Sequence, residues 1–150
     1  MTERFRLRVR VRYNECDAQN VVFNARYADY ADLASTEFLR AAVGGYQELQ
    51  ALGYENQIVR LLLEWKAPAR FDDVLDLLVS VGKVGRSSFV LCTRMRNAAT
   101  NQVIATSEAV YVFVDAKTFE KATIPENVRK CLESDDLLGV TDQSGARVTR

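Results

Sequence analysis

One long amphipathic helix stands alone among runs of strand pattern, and that imbalance limits the folds open to this chain. From Asn24, a candidate N-cap, Tyr27, Ala31, Ala34, Phe38 and Ala41 recur at helical spacing, with Asp29, Asp32, Glu37 and Arg40 over much of the remaining surface. Gly44-Gly45 reads as its C-cap, and YQELQAL predicts a short second helix running to Gly53. The alanine-rich stripe lets a sheet approach the helix axis closely.

Strand patterns lie on both sides of that helix. In FRLRVRVRY, Phe5, Leu7, Val9, Val11 and Tyr13 alternate with Arg6, Arg8, Arg10 and Arg12, a period of two. Further strands are predicted at 58–67, 74–84, 88–97 and 103–115, with AATNQ as a hairpin loop and a terminal helix at 124–134 with Pro at its first turn. Trp65 and Cys92 read as core. The end of the chain, about 139–150, reads as a flexible tail. A single antiparallel sheet has one apolar face to cover, and one long helix can cover it. The fold expected is α+β, an antiparallel sheet wrapped around a central helix, in one domain spanning residues 1–150.

Composition narrows the chemistry. Twenty basic residues balance twenty acidic ones, so no net field draws the chain to nucleic acid, and the arginine row reads as the wet face of a strand. No apolar run approaches membrane-spanning length. Three widely spaced cysteines, Cys16, Cys92 and Cys131, do not make a disulfide framework and offer no close pair of soft metal ligands. The setting expected is the cytoplasm, with no metal and no bound cofactor. The histidine count is zero, which removes Ser-His-Asp and Cys-His catalysis within the chain. Acid–base or nucleophilic work falls to carboxylates, Tyr, Lys or Cys.

The junction between first strand and helix, YNECDAQNVVFNARY, holds the candidate carboxylate. Asp17 lies just before a helix start, where free backbone N–H groups stabilise an oxyanion, with the apolar run Val21, Val22 and Phe23 between. On spacing alone the reading of Asp17 as a turn residue and Asn24 as a plain cap comes first.

The run RYNECDAQNVVFNARYADYADLASTEFLR resembles the signature of the 4-hydroxybenzoyl-CoA thioesterase family of hotdog-fold acyl-CoA thioesterases. The resemblance covers roughly residues 5–132, and it implies hydrolysis of an acyl-CoA thioester to free acid and CoA. Asp17 matches the family's catalytic aspartate, as nucleophile or general base. Asn24 would give its backbone N–H to the oxyanion hole, and Val21, Val22, Phe23 and Tyr27 would line the acyl pocket. Asn20 stands where the family usually has Gly; Asn tolerates the left-handed conformation that such a turn needs. GRSSF (85–89) resembles the segment meeting coenzyme A, with Arg86 for a phosphate and Ser87 and Ser88 as hydrogen-bonding groups. A homodimer or homotetramer is expected from the apolar strands. The rival reading is a non-catalytic acyl-CoA-binding or regulatory module on the same fold.

Overall fold

The computed structural model describes residues 1–145. Its elements run β1 (Glu3–Arg10), a 3-10 turn (Tyr13–Glu15), α1 (Arg26–Val43), α2 (Tyr46–Ala51), β2 (Tyr54–Trp65), β3 (Val74–Val84), β4 (Ser88–Asn97), β5 (Val103–Asp115), α3 (Glu126–Glu133) and β6 (Gly139–Asp142). Six strands form one sheet in the order β2-β5-β4-β3-β1-β6, antiparallel throughout except where β6 joins β1. One face of this sheet packs on α1, as the hotdog fold expected from the sequence requires.

The helix stripe does what its spacing predicts as far as Phe38, while Ala41, expected to continue it, is exposed. Tyr27, Tyr30, Ala31, Ala34, Phe38 and Leu39 are buried, and they meet Leu7, Leu77, Val79, Phe89, Leu91 and Phe113 from the sheet. Ala34 has no exposed surface, so backbone and sheet come close there without a cavity. The helix ends at Gly44, whose φ of 85° is left-handed and whose amide bonds back to Arg40 and Leu39. No helix among the described residues is long and apolar enough to cross a membrane.

The arginine row of β1 faces the other way. Asp76 on β3, 1% exposed, accepts two hydrogen bonds from Arg8 at 2.8 and 3.1 Å, with Arg6 and Arg96 within 4 Å. A buried carboxylate needs such partners.

Four expectations are corrected. The helix begins at Arg26, and its N-cap is Ala25, not Asn24; no side chain caps it. The reason is the tight turn before it, where the Arg26 amide bonds to the Phe23 carbonyl at 2.9 Å. Strand β2 starts at Tyr54, four residues early, because Tyr54–Gln57 pair with the end of β5. Trp65 is 52% exposed instead of core, since β2 is an edge strand. Residues 139–142 are a strand instead of tail: Phe5–Arg8 pair in parallel with Gly139–Asp142, and the Gln143 amide bonds to the Arg8 carbonyl at 2.8 Å. Residues 146–150 of the expected tail lie outside the described residues.

Candidate active site at the strand-helix junction

After β1 the chain turns through Tyr13–Glu15, crosses to α1 and closes a small loop on itself. Cys16 and Val22 form an isolated antiparallel bridge, and the Asp17 amide bonds to the Val21 carbonyl at 2.9 Å. The Asn20 amide returns to the Asp17 carbonyl at 3.0 Å. Asn20 has φ 64°, so the left-handed turn survives without glycine. The Val22 amide pins the loop to the Ala69 carbonyl at 2.8 Å.

Asp17 lies half-buried in a cleft of about 610 Å³, with Tyr13, Cys16, Ala18, Asn20, Arg70 and Phe71 around it. Its Oδ1 accepts the Gln19 amide at 2.8 Å, an Asx turn. The turn role and a chemical role are therefore compatible, because the carboxylate has a second oxygen. Tyr13 and Phe71 form an edge-to-face pair at the rim, with ring centroids 5.8 Å apart, and are 80% and 55% exposed. Burial, reinforced by the charges of Glu15 and Asp17, pushes the Cys16 thiol up, so it stays protonated at neutral pH and is a poor nucleophile.

The helix start adds donors. Among the described residues neither the Asn24 nor the Ala25 amide donates to a backbone carbonyl. The Asn24 carbonyl instead accepts the Trp65 indole N–H at 3.3 Å, which ties the end of β2 to this corner.

The other expected site residues fall in three places. Val22 and Tyr27 are buried in the core beneath the loop, Val21 is half-buried, and Phe23 is exposed; none of the four lines the Asp17 cleft. Burial raises the Tyr27 phenol, opposed in part by a hydrogen bond from the Ala69 backbone. Arg86, Ser87 and Ser88 sit at the β3–β4 turn against α3, where Arg129 donates to the Gly85 carbonyl at 2.7 Å and Arg86 meets Thr123 at 3.4 Å. Strand β3 runs away from the Asp17 end for 11 residues, about 3.4 Å each, so this turn lies at the opposite end of the sheet. The cleft residues missed from sequence, Tyr13, Arg70 and Phe71, come from two loops that meet only in the fold. A lone phenylalanine in the charged turn Arg70–Asp73 was the available signal.

Comparison with known proteins fixes the family. A family profile described as the thioesterase-like superfamily matches residues 11–132. The chain belongs to that superfamily. Over 127 residues it is 32% identical to the acyl-CoA thioester hydrolase YbgC of Escherichia coli O6:H1, covering 85% of this chain and 94% of that protein. The Haemophilus influenzae acyl-CoA thioesterase YbgC is 28% identical over 129 residues, covering 83% and 91%. Among solved structures, a hypothetical protein of Aquifex aeolicus superposes with TM-score 0.80 at 26% identity, over 86% and 99% of the two chains. The gentisyl-coenzyme A thioesterase BH1999 gives 0.76 at 25% identity, over 85% and 99%. The protein is thus a hotdog thioesterase whose sequence relatives include the YbgC acyl-CoA thioester hydrolases, a narrower likeness than the 4-hydroxybenzoyl-CoA resemblance suggested.

Proposed function

We propose that this thioesterase hydrolyses acyl-CoA thioesters, with Asp17 as the reacting carboxylate and the Asn24 amide as an oxyanion donor. One observation carries the reading: the Asp17 carboxylate has one oxygen engaged and lines a cleft, and in the same strand-helix link the Asn24 and Ala25 amides have no backbone acceptor among the described residues. As a base, Asp17 takes a proton from water while the water oxygen bonds to the thioester carbon. The C–S bond then breaks, and the CoA thiolate leaves with the proton. As a nucleophile, its oxygen bonds to that carbon, thiolate leaves, and water opens the resulting anhydride. Both routes build negative charge on the carbonyl oxygen, where the amide N–H acts.

The second chain of a dimer belongs to this reading. Strand β2 is an open edge whose Ile58, Val59, Leu61, Leu62 and Trp65 are exposed. Antiparallel pairing of two β2 edges would reverse the second copy, bringing its β3–β4 turn to the Asp17 end of the first. Arg86, Ser87 and Ser88 would then meet coenzyme A bound across the joined edge, a role they cannot fill within one chain. The three cysteines are free, which fits a cytoplasmic setting.

The test is Asp17→Asn, which keeps the turn acceptor and removes the charge. Single-turnover hydrolysis of butyryl-, decanoyl- and benzoyl-coenzyme A should fall at least about a hundred-fold, with melting temperature unchanged. Wild-type turnover in the folded variant refutes the assignment. Lost turnover in wild type across all acyl chains would favour a non-catalytic binding module instead.

A further inference from the structure

Glu15 is a carboxylate that the proposed reaction does not touch, yet it is buried, 4% exposed, two residues from Asp17. A charge in that position is costly unless donors converge on it. They do. Oε1 accepts the Arg12 backbone amide at 2.7 Å and the Tyr30 hydroxyl at 3.0 Å, and Oε2 faces the Arg12 guanidinium at 3.4 Å. The carbonyl of Glu15 accepts the Phe23 amide at 2.9 Å. One residue is thereby tied to the chain leaving β1, to α1, and to the far side of the Asp17 loop.

Tyr30 is suited to its half of the contact. It is 1% exposed and packs edge-on against Tyr27 at 5.8 Å, so its ring is held from two sides. Burial, with the Glu15 charge beside it, pushes the phenol far up, which leaves it a permanent donor. By contrast, the loop residues Ala18, Gln19 and Asn20 are exposed, and the loop's own hydrogen bonds fix its shape without fixing its distance from the helix. The Glu15–Tyr30 bond is the buried side-chain link that joins the root of this loop to α1, beside an exposed one from the Arg26 guanidinium to the Asn14 carbonyl at 3.3 Å.

We propose that Glu15, acting with Tyr30, is a positioning residue that sets the Asp17 carboxylate against the amides at the helix start. The proposal rests on the thioesterase reading above. Reaction geometry is sensitive on this scale, since a displacement of about 1 Å at a reacting group can lower a rate a hundred-fold. Gln at position 15 can keep an oxygen toward Arg12 N–H and Tyr30 O–H while its amide nitrogen turns to the exposed Arg12 side. Ala cannot.

The experiment compares Tyr30→Phe, Glu15→Gln, Glu15→Ala and Asp17→Asn in the full chain, with the same three acyl-coenzyme A substrates, well below the melting temperature. Tyr30→Phe and Glu15→Ala should lower kcat about ten-fold or more with KM within about two-fold, and Glu15→Gln should regain most of the kcat lost in Glu15→Ala. A folded Tyr30→Phe with kcat within two-fold of wild type overturns the proposal, as does a rise in KM with kcat unchanged. Glu15→Gln as slow as Glu15→Ala overturns it too. Where Glu15→Ala fails to fold, Tyr30→Phe and Glu15→Gln decide. Loss of turnover in Asp17→Asn beside a normal Tyr30→Phe removes the positioning role alone; wild-type turnover in Asp17→Asn removes both readings.

Discussion

The Trp65 indole N–H donates to the Asn24 carbonyl at 3.3 Å, joining residues 41 apart in sequence. Trp65 ends the edge strand β2, and Asn24 stands two residues before α1. Whatever fixes β2 therefore also fixes the peptide that follows the Asn24 N–H proposed to receive the thioester oxygen. Trp65→Phe keeps the ring and removes the donor. Turnover should fall about three- to ten-fold, the kinetic equivalent of roughly 1 kcal/mol for one hydrogen bond, and steady-state kinetics at constant oligomeric state reads it.

The open β2 edge should hold two copies together. Val59, 61% exposed on that strand, offers the least disruptive place to break the contact. Val59→Lys should convert the assembly largely to single chains, because a charge on an edge strand opposes pairing. Light scattering checks this, and wild type running as a 16.9 kDa species at micromolar concentration contradicts it.

If Arg86 reaches the substrate of the neighbouring chain, mixing variants gives a distinctive outcome. Arg86→Ala alone should raise KM for acyl-coenzyme A about ten-fold, the loss of one charge-assisted contact, and leave acyl-pantetheine unaffected. Co-refolding it with Asp17→Asn chains should restore wild-type KM in part of the population, since hybrid dimers hold one site with both groups intact. A KM that stays high in the mixture means Arg86 acts within its own chain or not at all.

The carboxylate of Asp76 gives a pH prediction. Burial alone would raise its pKa, but the Arg8 hydrogen bonds and the charges of Arg8, Arg6 and Arg96 outweigh it and hold the group below the usual carboxylate range. A depressed folded value means the stabilisation is complete above the unfolded pKa, near 3.9, and is lost as pH falls through the folded value. Asp76→Asn should cost roughly 3 kcal/mol at neutral pH, the low end for a broken buried pair because the arginines are partly exposed. The gap from wild type should close below about pH 4. Urea unfolding at several pH values measures it.

The sequence shows some parts of this molecule plainly and hides others for physical reasons. Strands β3, β4 and β5 fall on the residues expected because β4 and β5 alternate, β3 is a mostly apolar run buried from Leu75 to Ser80, and each is bounded by turn chemistry. Helix α1 was readable from its stripe, while its first residue was not: Asn24 has the composition of a cap, but its carbonyl is claimed by Trp65. GVTD is too short and polar to announce a strand, and its partner Phe5–Arg8 lies more than 130 residues away, so β6 is invisible to local pattern. The junction itself was legible as chemistry through Asp17. The cleft around it was not, since Phe71 reaches Tyr13 only after β2 and β3 are laid down. Glu15 looked like one more polar residue in a loop until its burial and the Tyr30 hydroxyl gave it a place.

Strand β6 has a further consequence for what this protein can become at high concentration. Its four residues shield the long β1 edge, and an outermost strand that short, ending on Asp142, offers a poor template for another chain. The sheet can therefore grow at its β2 side only, and a symmetric pairing there uses up that side. If the proposed pairing forms, growth of the sheet stops at two copies, and a protein built from long apolar strands is protected from end-to-end fibre formation. Trimming the chain before Gly139 would remove that stop and leave a sheet able to polymerise from both edges.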